Sequence, residues 1–382
     1  MTPQNKGARL GAEAEEVLRE YFQEAGYFVV RGVPYIHDDS AISDIDLWLY
    51  LRPSPFARLR GIVDAKRTNR PRAAERIVWT LGLRDILGVD QAIVATTDNR
   101  PSVAEFGRKH GVLVLDGEFQ QRLLRRFPQR ALSRLADEEL CAAKGGVPDS
   151  WKACAAKAKE RLLLKLEFDG CNAWLADVGF FAQAYIGERD SVAGPTAARL
   201  FYLMIAYFLI GLDFVAAELA VEPEEPRIRA LADGFRFGSG GRERVDRMLR
   251  QVGQLVAAYL PSASGVIARV SVDAERQLAS VPAEVLAQYF GGADRIRSLF
   301  RLAIEFEKAA YLRSFKHPSE LDIQLQGTIS VFLDYFGIDR SLFFREPTGA
   351  QATGAGPEAP KQLTLAKGKD NSPPALDSAE NE

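Results

Sequence analysis

The 382-residue sequence predicts an α/β domain followed by an all-α domain and a disordered tail. Three observations predict it. Strand-patterned and helix-patterned segments alternate through the first third of the chain. From about Ala131 to Phe344 nearly every segment has helical period. From Glu346 the chain turns to Gly, Ala, Pro and charge, which cannot bury enough apolar surface to fold. The expected divisions are 1–128, 129–345 and 346–382.

The elements of the first domain read in order. In "GAEAEEVLREYFQEA" (Gly11 to Ala25), Val17, Leu18, Tyr21, Phe22 and Ala25 make one apolar helix face, and Gly26 supplies a stop. "YFVVRGVPYI" is rich in β-branched and aromatic residues and reads as strand. "HDDSAIS" reads as a loop. "DIDLWLYLR" and "LRGIVDAK" alternate, and the Pro-Ser-Pro of residues 53–55 lies in the connection between them. Pro71 to Leu87 has helical period. "QAIVATT" reads as a buried strand, Pro101 to His110 as a helix with proline in its first turn, "GVLVLD" as a strand and "GEFQQRLLRRF" as a closing helix.

Composition excludes some classes. The net charge is -2, so any nucleic-acid affinity must come from a local patch. Cys141, Cys154 and Cys171 lack metal-ligand spacing and cannot all pair with one another, which fits reduced thiols in a cytoplasmic protein. The three histidines are scattered, which argues against a zinc site. The first residues have no apolar signal-like core. The most apolar run, Leu200 to Leu212, is shorter than the ~20 residues a membrane span needs, so it is expected as a buried helix, with no membrane partner.

Strand side chains alternate between faces. In "GIVDAK", Ile62, Asp64 and Lys66 share one face. In "DIDLWLY", Asp44, Asp46, Trp48 and Tyr50 share one face, and Ile45, Leu47, Leu49 and Leu51 the other. If the two strands pair, Asp46 and Asp64 converge. Two carboxylates suit Mg²⁺, which is commonly held by one or two carboxylates with water and phosphate oxygens. A neighbouring lysine can orient an attacking water and offset charge in phosphodiester hydrolysis. Taken alone, "DAK" is most simply a solvated strand face with a weak ion pair.

The order of the pieces adds to this. A helix with an acidic residue, a strand with Asp, a strand with Asp-x-Lys, then a basic helix and a further strand resemble the PD-(D/E)XK nuclease superfamily. The likeness is nearest to its Mrr-like restriction endonuclease group, with Holliday junction resolvases as cousins. "GAEAEEVLREYFQEAGY" resembles the opening Gly-x-x-x-Glu helix, picking out Gly11, Glu15, Gly26 and Tyr27. "SDIDLWL" resembles the strand carrying the first metal aspartate, Asp46. "GIVDAKRT" resembles the (D/E)-x-K strand, giving Asp64 and Lys66, with Asp where Glu is commoner. "LGVDQAIVATTDNRPSVAEFGRKHGVLVLDGEF" resembles the Mrr-like continuation.

The resemblance covers about the first third of the chain. It implies a restriction-endonuclease-like fold, a central mixed sheet flanked by helices. It further implies catalytic residues Asp46, Asp64, Lys66 and Glu15, and Mg²⁺ at Asp46 and Asp64, with Mn²⁺ able to substitute. The implied activity is DNA endonuclease, in restriction or phage defence. A homodimer follows by resemblance only.

Arg58, Arg60, Lys66, Arg67, Arg70, Arg72 and Arg76 are expected to crowd around the site. Of these, Arg67, Arg70, Arg72 and Arg76 are the candidates for phosphate contact, which holds backbone and reads no base. A solvated helix face is the plainer account of the same run. The helical domain carries no nameable chemistry. It can select DNA, bind a partner protein or form a dimer. Two other readings stay open: a catalytically silent nuclease-like module that binds DNA or protein, and a junction resolvase-like enzyme. DNA is the expected substrate, and RNA is not distinguished from it.

Overall fold

The structure is a computed structural model that describes residues 3–66, 72–126, 134–141, 146–259 and 264–347, with residues 3–10, 12, 13, 66, 257 and 264–267 described through the backbone alone. Helix α1 (Pro3–Glu24) ends where expected. Gly26 takes φ +92°, and the Tyr27 N–H reaches back to the Phe22 carbonyl at 2.9 Å, a glycine-dependent C-terminal cap. The strands β1 (Phe28–His37), β2 (Ser40–Leu51), β3 (Leu59–Lys66), β4 (Gln91–Thr96) and β5 (Val112–Leu115) form one sheet in sequence order. β1, β2 and β3 run antiparallel to their neighbours, and β3, β4 and β5 run parallel, so the sheet is mixed. The parallel crossovers are made by α2 (Ala73–Leu87) and α3 (Pro101–Lys109), and α4 (Gly117–Arg126) closes the unit.

One segment departs from the sequence expectation. "HDDSAIS" is a tight hairpin rather than a loop. Asp38 and Asp39 both adopt positive φ (46° and 60°), the backbone of a two-residue hairpin turn, and β2 begins at once at Ser40. The polar start of β2 disguises it as loop.

The sheet is covered on both faces. On one face α1 and α4 bury Leu18, Phe22 and Leu123 against Val29, Leu47, Leu49, Val63 and Ile93. On the other, α2 and α3 bury Ala73, Ile77 and Val103 against Ala92, Val94 and Val112. Over β1 and β2 that second face is covered by the helical region: Phe28, Val30, Trp48, Tyr50 and Ile62 share one core with residues from beyond position 137.

That region runs through α5 (Asp137–Leu140), α6 (Asp149–Leu164), α7 (Phe168–Glu188), α8 (Gly194–Leu219), α9 (Glu224–Phe237), α10 (Gly241–Tyr259) and α11 (Ser264–Ala279). It continues with α12 (Ala283–Gly291), α13 (Ala293–Tyr311), α14 (Ile323–Phe336) and α15 (Arg340–Phe343). The apolar run at 200–212 lies inside the 26-residue α8, which by length and composition alone could cross a membrane. Here 83% of its most apolar window is buried inside the protein, because α7 and α13 pack along it. Residues 348–382, most of the expected tail, lie outside the described residues.

Candidate functional site

The ladder between β2 and β3 runs from Leu51↔Leu59 to Leu47↔Val63 and stops there. The next residues on the two strands are Asp46 and Asp64, so the carboxylates stand where the strands part. β3 stays paired with β4 through this point, Asp64 opposite Val94 and Lys66 opposite Thr96. Asp46 fills the place of the missing ladder bond: its Oδ2 accepts from the Ala65 N–H at 2.6 Å. Ala65 is the residue between Asp64 and Lys66. A direct clasp thus ties Asp46 to the β3 backbone beside Asp64.

Strict alternation in β2 does not hold. Ile45 packs in the same core as Trp48 and Tyr50, although it was expected on the opposite face. The cause lies on β1. Arg31 pairs with Leu47 and Val33 with Ile45, which places Gly32 across from Asp46. Gly32 takes φ +59°, a left-handed twist that glycine tolerates and that reorients both strands beside Asp46.

Glu15 lies on α1, within electrostatic reach. Burial pushes its carboxyl up, the negative charge of Asp46 pushes it further, and the Arg31 guanidinium opposes them, leaving it at about 7. Arg31 Nε lies 3.4 Å from Glu15, and its terminal nitrogens bind Glu16 at 2.9 Å and Glu138 on α5. Glu16 also pairs with Arg19. Glu15, the glutamate of the Gly-x-x-x-Glu spacing, therefore feels the charge of Asp46. Asp44 is exposed at the solvent end of β2.

Asp64 is engaged by Arg76 from the first turns of α2. Arg76 Nε donates to Oδ2 at 2.5 Å, and a terminal nitrogen contacts Oδ1, so both carboxylate oxygens are taken. Arg76 was expected to face phosphate, and it instead sits across the carboxylate. Arg72 is exposed and makes a loose contact with Glu75 at 3.4 Å. Arg67 and Arg70 lie outside the described residues, as does the Lys66 side chain. Among the described residues, no three His, Cys, Asp or Glu side chains form a group that could hold a metal ion.

Two expected members of the basic patch belong elsewhere. Arg58 is almost fully buried and pairs with Asp213 on α8. Arg60 donates to the Gly88 carbonyl at 2.6 Å and lies over the Phe214 ring. Both sit at the start of β3, the far end of the strand from Asp64, so proximity in sequence misled. Arg31 was not singled out beforehand. Its signal was a lone charge in the otherwise apolar "YFVVRGVPYI".

The chain matches no family model, no curated protein and no solved structure.

Proposed function

We propose that this chain is a Mg²⁺-dependent DNA endonuclease of the PD-(D/E)XK kind, cutting phosphodiester bonds where β2 and β3 part. The observation that carries the reading is the bond from Ala65 N–H to Asp46, which ties the aspartate of one strand to the middle of the Asp-x-Lys sequence of the next. A hard cation would be held by the oxygens of Asp46 and Asp64 once Arg76 swings away from Asp64, and Asp46 adds to the upward push that burial exerts on Glu15. When bound, Mg²⁺ or Mn²⁺ supplies an activated water and charge compensation at the leaving oxygen.

The protein's own groups do the rest. The backbone of β3 fixes the Asp46 carboxylate. Lys66, two residues after Asp64 on β3, would orient the attacking water and offset charge on the phosphate. Arg72, exposed at the start of α2, and Arg67 and Arg70 just before it hold the DNA backbone. A role in restriction or phage defence accords with such an activity.

A second reading has its own observation. Arg76 covers both oxygens of Asp64, as expected of a silent nuclease-like module in which an internal cation has replaced the metal. Cleavage separates the two. Wild type and Asp64→Ala are assayed on supercoiled plasmid, linear DNA and four-way junctions with Mg²⁺, Mn²⁺ or EDTA. Metal-dependent cutting that Asp64→Ala abolishes supports the enzyme, and preference for junctions moves it to a resolvase. Tight DNA binding without cutting under any condition refutes the enzyme and favours the silent module.

A further inference from the structure

Residues 97–100, which join β4 to α3, take no part in the Asp46–Asp64 site, yet they stand at its edge. β3 and β4 are parallel, and Lys66 at the end of β3 lies opposite Thr96 at the end of β4. The chain therefore leaves β4 beyond the C-terminal ends of the parallel strands, where open α/β sheets bind their ligands. α2 and α3 start from this same edge and pack side by side on one face of the sheet. Each has an arginine at its N-cap, Arg72 and Arg100, and neither side chain caps its helix. A cation in that position opposes the helix dipole, so neither arginine is there for the helix's sake.

Arg100 is held in place. Asp98 is buried, and among the described residues its carboxylate is spent on Arg100. Arg100 Nε donates to the two carboxylate oxygens at 3.0 and 3.1 Å, and Nη2 donates to Oδ2 at 2.6 Å. The Arg100 side chain is nevertheless 68% exposed. The loop beneath it is clamped. The Asp98 N–H donates to Thr96 Oγ1 at 3.2 Å, and Asn99 Oδ1 accepts from the Glu118 N–H at 3.0 Å. A Cβ on Gly117 would come within 2.8 Å of the Thr97 carbonyl, so only glycine lets α4 start this close. An ion pair with one exposed partner adds little to stability. What this one does is fix a guanidinium at the edge of the sheet, with its ordering entropy already spent.

We propose that Arg100 is a phosphate anchor of the candidate nuclease site, gripping the DNA backbone away from the scissile bond, with Asp98 holding it in aim. The substrate in this proposal rests on the endonuclease reading. Helices packed side by side lie about 10 Å apart, so Arg100 and Arg72 reach different phosphates. Each such contact releases its own share of counterions from the duplex.

The test is binding of the full chain to a short DNA duplex in EDTA, by fluorescence anisotropy from about 50 to 250 mM salt. Arg100→Ala should weaken binding about tenfold and lower the slope of log affinity against log salt by about 0.9. Arg100→Lys should restore the slope but only part of the affinity, because an ammonium cannot make the two-oxygen fork to Asp98. Arg108→Ala, exposed about 12 Å further along α3, should change neither. Thermal midpoints of all three should match wild type, which separates loss of a contact from loss of fold. Wild-type affinity and slope in Arg100→Ala overturn the anchor, as does an equal loss in Arg108→Ala or a wild type that binds no DNA at 50 mM salt. Full recovery of affinity by Arg100→Lys overturns the role given to Asp98. Cleavage is scored separately. A chain that binds through Arg100 but never cuts keeps the anchor and loses the nuclease, and one that cuts with Arg100→Ala binding unchanged does the reverse.

Discussion

On the proposed function, Arg76 and the metal would compete for the two oxygens of Asp64, and that competition has a calculable size. Arg76→Ala removes a bidentate, charge-assisted contact from Asp64, whose side chain is 12% exposed while that of Arg76 is 30% exposed. Such contacts contribute about 1.5–3 kcal/mol, and partial screening of Arg76 places this one near the lower bound. At about 1.4 kcal/mol per tenfold, Mn²⁺ should bind Arg76→Ala about 10–30-fold more tightly than wild type. Loss of the positive charge acts in the same direction. The assay is Mn²⁺ titration followed by electron paramagnetic resonance, with Asp64→Asn/Arg76→Ala as control. Equal or weaker binding by Arg76→Ala refutes the competition. A gain that survives in the double variant shows that it does not pass through Asp64, and refutes the site as described.

Two further predictions concern the framework. Asp213 is fully buried and accepts from Tyr50 Oη at 2.8 Å and Arg52 at 2.8 Å while pairing with Arg58. Asp213→Ala strands these donors and should cost about 3–5 kcal/mol in urea unfolding, and a loss below about 1 kcal/mol would contradict the account. For Asp137, burial alone would raise the carboxyl, but the Lys159 ammonium, joined by the Tyr311 hydroxyl and the Arg31 guanidinium, outweighs it and holds it below the ordinary range. A depressed carboxyl stabilises the fold above its unfolded value of about 3.9 and loses that contribution as pH falls through the lower folded value. In Lys159→Met the largest counterweight to burial is lost and the Asp137 carboxyl rises, so the stability difference from wild type should widen as pH rises above about 4. Urea midpoints across that range check it, and a constant difference would refute it.

The order of strands and helices up to Arg126 was legible because each element carries its own period. So was the pairing of β2 with β3, which brings Asp46 to the Ala65 N–H beside Asp64. What was hidden depended on partners distant in sequence. Nothing local to Arg76 says that it turns back to Asp64, and nothing local to Arg58 says that Asp213, on α8, awaits it. The hairpin at Asp38 and Asp39 was obscured because polar residues there carry positive φ without the usual glycine. Gly32 was visible as a glycine, but its effect on Asp46 appears only once β1 lies beside β2.

Trp48 and Tyr50 follow Asp46 on β2, and both are fully buried beneath the helical region. A gene fragment ended near residue 128 would therefore leave Phe28, Val30, Trp48, Tyr50 and Ile62 facing water as one oily sheet, with Arg58 bereft of its counter-ion. The helices are not cargo attached to a self-sufficient head. They are half of the material from which the head is made, so whatever they sense is mechanically adjacent to the strand that carries Asp46.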